Sequence, residues 1–75
     1  MKNAEYDMRL GARVRSLRTS RGVRLKTLAL VLGVSRQQVW SYERGRTRMS
    51  AATVAAIAAA LDVTAGAILE EEKQT

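Results

Sequence analysis

Two apolar stretches of helical period meet at Gly33-Val34-Ser35, and this tripeptide restricts the possible folds more than any other part of the chain. Upstream, Leu25, Leu28, Ala29 and Leu32 recur at i, i+3, i+4 and i+7, the buried face of a helix over about Leu25 to Leu32. Gly33 tolerates the left-handed backbone that ends such a helix, and Ser35 can cap the next one. Ser35 and Gln38 have the spacing of a capping box, in which the Ser oxygen takes the N–H of Gln38 and the Gln side chain reaches back. Short helices joined by so tight a turn, with the small Ala29 allowing close approach, predict a helix-turn-helix.

The second of these helices is two-faced. Val39 and Tyr42, with part of Glu43, fall on one side; Arg36, Gln37, Trp40 and Ser41 fall on the other. Arg and Gln make bidentate hydrogen bonds to base edges in a DNA major groove, and a helix N-terminus suits nearby phosphate. On these residues alone, a solvated polar face is the equal alternative.

The remaining pattern supplies three more helices. Asp7 is the expected cap of a first helix with Leu10, Val14 and Leu17 as its stripe, ending near Arg21-Gly22, after which Val23 tucks back onto the core. Ser50 caps a fourth carrying Val54, Ile57, Ala58 and Leu61, and Thr64 caps a last one with Ile68 and Leu69. The expected architecture is all-α, five helices around one core, with an N-terminal arm at 1–6, the domain at 7–69 and an acidic tail at 70–75.

A chain of 75 residues makes one small domain. With no Cys and no His, it has no disulfide and no Cys or His metal site, and no metal or cofactor is expected. The net charge of +6 is uneven, because residues 8–61 hold eleven Arg and Lys against the single acid Glu43. So basic a middle favours a polyanion, nucleic acid before an anionic membrane surface. No helix has the strongly basic and strongly apolar faces that a membrane surface requires. Lys2, Glu5, Asp7 and Arg9 rule against a signal peptide, and the Ala-rich run from Met49 to Leu61 is too short to span a bilayer, so a cytoplasmic location is expected. An enzyme is disfavoured, since one interior acid without His or Cys assembles neither an acid–base pair nor an activated nucleophile.

Leu10-Gly11, Val14-Arg15, Leu17-Arg18, Arg21-Gly22, Leu28-Ala29, Leu32-Gly33-Val34-Ser35, Val39, Tyr42-Glu43, Gly45, Ile57-Ala58 and Ala60-Leu61 follow one another in the order of a known pattern. In these residues the chain resembles the phage-repressor and Cro-like helix-turn-helix family, the Xre-type regulators, from about Leu10 to Leu69. The resemblance implies a five-helix, lambda-repressor-like DNA-binding domain, helix 3 in the major groove of double-stranded DNA, two-fold homodimers on paired half-sites, and control of transcription by site occupancy. It also implies that Arg18 pairs with Glu43, which accounts for the lone central acid as a structural ion pair between helices 1 and 3.

Mapped onto this chain, the family's base-contacting positions are Arg36 and Gln37, with Ser41 a further candidate and Gln38 divided between a base and the capping box. Ser35, Arg44, Arg46 and Arg48 are candidates for DNA phosphate. Helix 2 departs from the pattern, with Arg24 and Leu25 where a Ser or Thr cap and a phosphate-binding Gln are usual. Arg24 and Lys26 oppose the helix dipole unless phosphate binds, so they are read as a substitute clamp. Trp40 also departs from it: the indole either presses on a thymine methyl or sugar and donates to phosphate, or packs between helices 2 and 3.

Two further surfaces are expected. The small, uncharged outer face of helix 4, through Ala55 and Ala59, is a candidate homodimer interface together with Ile68 and Leu69. Leu30 and Val31 point off the core and are candidates for a second protein partner. The function expected is a sequence-specific DNA-binding repressor or autoregulator, with no small-molecule ligand evident. The alternative is an antitoxin-like or other protein-interaction module whose DNA binding is secondary.

Overall fold

The computed structural model describes residues 4–69, which form five α-helices and no strand. They are α1 (Ala4–Ser20), α2 (Leu25–Leu32), α3 (Arg36–Glu43), α4 (Ala51–Leu61) and α5 (Ala65–Leu69). Several boundaries have a local cause. The Ser35 side chain accepts from the Gln38 N–H and that of Ser50 from the Thr53 N–H, so α3 and α4 start on hydroxyl caps. Thr64 serves α5 in the same way, accepting from the Ala67 N–H at 3.1 Å. At the other ends Gly33 sits in the left-handed region with φ 73°, and the N–H of Val34 returns to the carbonyl of Ala29 at 3.0 Å. Asp62 ends α4 in the same conformation, φ 59°, as the one non-glycine residue with positive φ among those described.

One core joins all five helices. Val14, Leu28, Val39, Ile57 and Ile68 are fully buried, and Leu10, Ala29, Met49, Val54, Ala58 and Leu61 complete the cluster. The apolar periodicity of α1, α2 and α4 therefore marks the faces that the fold buries, since burial of such side chains is the main driving term.

The start of α1 differs from the sequence expectation. The helix already includes Ala4 to Tyr6, so these residues are not an arm, and Asp7 lies inside the helix rather than at its cap. Its carboxylate instead meets the Arg48 guanidinium at 3.4 Å, tying α1 to the segment before α4. Lodged there, Asp7 is only partly exposed, and extending the helix by a turn leaves it free for that contact. Residues 1–3 of the expected arm and the acidic tail at 70–75 lie outside the described residues.

Ile68 also departs from the expectation that it faces a dimer partner. It has no exposed surface and belongs to the core, because α5 is a short helix whose apolar side turns inward onto α4 and α1. A dimer contact through Ile68 would require the monomer core to open. Leu69 stays half-buried on the rim of an apolar cleft shared with Tyr6, Met49 and Ala65.

Candidate nucleic-acid interface

The position of α3 is fixed by α1 from behind. Arg18 Nε donates to Glu43 Oε2 at 2.6 Å and Nη2 to Oε1 at 3.2 Å, a two-pronged ion pair. The remaining Nη1 donates to the Val23 carbonyl at 2.9 Å. The side chains are 11% and 3% exposed, so the pair is almost wholly removed from water. In that setting a planar guanidinium meeting a carboxylate fixes orientation as well as distance. One Arg thereby ties the C-terminal turn of α3 to α1 and to the turn before α2.

Gly11 and Gly45 bring the two backbones together on the same flank. A Cβ on Gly11 would meet the carbonyl oxygens of Tyr42 and Glu43, and one on Gly45 would lie 2.6 Å from Cα of Met8. Sequence reasoning about function missed both roles. For Gly11 the available signal was a glycine inside a helical pattern, which costs about 1 kcal/mol relative to Ala and so points to a close approach; Gly45, in a turn at φ 74°, carried no such signal.

With its far side so held, α3 presents its opposite face. Arg36 and Gln37 are exposed in its first turn, and Gln38, Trp40 and Ser41 are half-buried. Gln38 spends its backbone N–H on the Ser35 hydroxyl, at 3.0 Å, while no return bond from its side chain is present, so that amide is available to a ligand. Trp40 is not a core residue; with Leu25, Arg36 and Gln37 it lines an open depression between the start of α2 and the outer face of α3. Its ring also has the Arg44 and Arg46 guanidinium carbons at 5.2 and 5.3 Å from its centroid.

The expected phosphate ligands divide into groups. Arg24 is the N-cap residue of α2, extended at φ −76° and ψ 153°, with no side-chain cap bond; it and Lys26 are exposed. They flank Leu25, at the edge of the depression that Arg36 and Gln37 line. Arg44 and Arg46 gather at Trp40, beyond the other end of α3. Arg48 is not brought to them, being drawn to Asp7 by an exposed contact of the kind worth about 0–1 kcal/mol. Ser35 is exposed but its oxygen is engaged in capping. The described residues hold no cluster of acids fit for a metal ion, and no helix among them is long and apolar enough to cross a membrane.

A five-helix domain with a capped, basic-flanked helix after a glycine turn is a helix-turn-helix regulator in architecture. Comparison with known proteins gives the same class: a family model described as "Helix-turn-helix domain" matches residues 9–70. The chain belongs to this family, that of the Xre and Cro-like helix-turn-helix transcriptional regulators rather than of enzymes. It is 49% identical over 57 residues to an "Uncharacterized transcriptional regulator in ATPase CF(0) region" of Rhodospirillum rubrum, a match covering 76% of this chain and 53% of that one. The chain thus spans about half the length of that curated relative.

Solved structures agree. The clp gene regulator ClgR of Corynebacterium glutamicum superposes with a TM-score of 0.84 at 34% identity, covering 91% of this chain and 72% of that one. The restriction-modification controller protein C.AhdI of Aeromonas hydrophila gives a TM-score of 0.80 at 33% identity, over 88% of this chain and 98% of that one.

Proposed function

We propose that this helix-turn-helix regulator binds double-stranded DNA sequence-specifically as a homodimer, placing α3 in the major groove and repressing transcription, its own included, by occupying a promoter. The observation that carries the reading is the exposure of Arg36 and Gln37 on a helix held from behind by the buried Arg18–Glu43 pair and flanked by Arg24 and Lys26 at one end and Arg44 and Arg46 at the other. Cations at the ends would contact the backbone and set register, while bidentate side chains between them read bases. Arg36 and Gln37 are the base-reading residues, with Gln38 and Ser41 contributing and the four flanking cations taking phosphate.

The dimer is placed on the outer face of α4, where Ala55 and Ala59 are exposed and uncharged, and on Leu69. Small side chains there permit close helix approach, and a two-fold dimer would set its two copies of α3 on half-sites about 34–36 Å apart. Selection of bound sites from a random duplex library tests the reading. The expected product is a palindromic consensus that the purified chain shifts in the presence of competitor DNA. Recovery of unrelated sequences would refute it. Sedimentation is expected to show dimer in the micromolar range for the wild type and monomer for Ala59→Glu.

A second reading draws on the outer face of α2, where Leu30 and Val31 are 72% and 64% exposed. Adjacent apolar side chains this open suit a contact with a second protein. In that case Leu30→Ser with Val31→Ser abolishes the partner's binding and leaves the duplex shift unchanged.

A further inference from the structure

The Trp40 indole is shared by two cations that have no carboxylate partner among the described residues. Local backbone geometry brings them together. Arg44 follows Trp40 by four residues, one turn along the same face, and is the last residue to hold a helical conformation, at φ −91° and ψ −3°. Gly45 then reverses the chain at φ 74°, and the Arg46 N–H returns to the Ser41 carbonyl at 2.9 Å. That reversal carries Arg46 back to the ring that Arg44 already occupies. Two like charges held against one ring repel each other, and the negative face of the indole offsets only part of the cost. A bridging anion would remove the rest.

We propose that Trp40 is a positioning residue whose ring holds Arg44 and Arg46 as a preformed clamp for the phosphodiester backbone beside the bases that α3 reads. This rests on the reading of α3 as the DNA-reading helix. An arginine already stacked has less side-chain freedom to lose on binding phosphate than one free in solvent. The indole therefore raises affinity for any duplex by the same factor and carries no sequence preference of its own. It also explains why a bulky aromatic occupies a position turned away from the core: its ligands are the chain's own guanidinium groups.

The experiment is a salt series on the full chain and its Trp40→Leu and Trp40→Phe variants, each binding a labelled selected duplex and a scrambled one. Thermal melts establish that both variants fold. With the ring removed, each guanidinium regains side-chain freedom that binding must then take away, a loss of about two- to five-fold in affinity, so Trp40→Leu is expected to weaken both duplexes equally, by roughly 4- to 25-fold. Its salt slope flattens by about 0.9 for each phosphate that is no longer neutralised, Trp40→Phe keeps most of the wild-type behaviour, and Arg46→Ala adds little in the Trp40→Leu background. Loss of discrimination between the duplexes at unchanged salt slope would overturn the proposal, as would a fully additive Arg46→Ala. A second arm needs no DNA: emission of the chain's single Trp is followed while inorganic polyphosphate is added. A shift that disappears in the Arg44→Ala, Arg46→Ala double variant supports the clamp even if no duplex binds, in which case only the DNA reading falls. No shift in the wild type overturns the clamp itself.

Discussion

Gly11 and Glu43 pack backbone against backbone: a Cβ added to Gly11 would stand 2.6 Å from the Glu43 carbonyl oxygen, with the Tyr42 carbonyl closer still. No side chain can yield there, so the approach of α1 to the C-terminal turn of α3 depends on the missing Cβ. Gly11→Ala should therefore destabilise by about 1–3 kcal/mol despite the better helix propensity of Ala, because overpacking against main chain forces the helices apart. A thermal melt checks it, and a raised melting temperature would contradict it.

Removing one partner of the Arg18–Glu43 pair strands the other. Glu43→Ala leaves an almost buried guanidinium with only the Val23 carbonyl, and is expected to cost about 3–5 kcal/mol and to lower the affinity for DNA with it. Replacing both residues, as Arg18→Met with Glu43→Leu, should recover a large part of that stability, since a well-packed apolar pair avoids burying charge. Chemical denaturation of the two variants measures the difference. Equal losses in both would show that the pair contributes net stability.

Gly33 tests the turn itself. Its φ of 73° is costly for a residue with a side chain, although nothing within 4 Å would touch a Cβ there. Gly33→Ala is expected to cost about 1–2 kcal/mol through backbone strain alone, and Gly33→Asn less, because Asn enters this conformation more readily. Denaturation midpoints for the pair decide it.

Arg36 is expected to act on specificity and hardly on the fold, because it is exposed and makes no hydrogen bond or ion pair within the described residues. Arg36→Ala should lose about 1–3 kcal/mol of discrimination at one base position and leave the melting temperature unchanged. Binding to a panel of singly substituted operators measures this, and uniform loss across the panel would reassign Arg36 to the backbone.

Arg24 should behave in the opposite way. As an exposed N-cap residue with no cap bond of its own, it is free to take phosphate at the start of α2. Arg24→Ala is expected to flatten the salt dependence of binding by about 0.9 with no change in preferred sequence. An unchanged slope would remove it from the interface.

Much of this protein is legible in its residues because the relevant physics is local. Gly33 and Ser35 end one helix and start the next through their own backbone and hydroxyl preferences, and the spacing of Leu28, Ala29, Val54, Ile57, Ala58 and Leu61 identifies faces that only burial explains. The first turn of α1 was not legible, since Asp7 suits a cap equally well by type and only its distance to Arg48 shows what it serves. Ile68 and Leu69 look alike in sequence, yet α5 turns the first into the core and leaves the second on a rim.

The sequence by itself determined five helices, their order, the tight turn between α2 and α3, and the basic character of the face beyond it, because helix period, capping and charge are properties of neighbouring residues. The family resemblance also implied the Arg18–Glu43 pair that the structure contains, whereas tertiary structure alone decided the main-chain approach that seats α3 on α1, and the turn at Gly45 decided what Trp40 touches. That approach depends on residues far apart in the chain, Gly11 against Glu43 and Gly45 against Met8, while a glycine reversal at Gly45 carries Arg46 back to a ring six positions earlier. Periodicity specifies neither kind of contact, since the first arises only when separate helices pack on a common core and the second is set by a turn rather than by helical spacing.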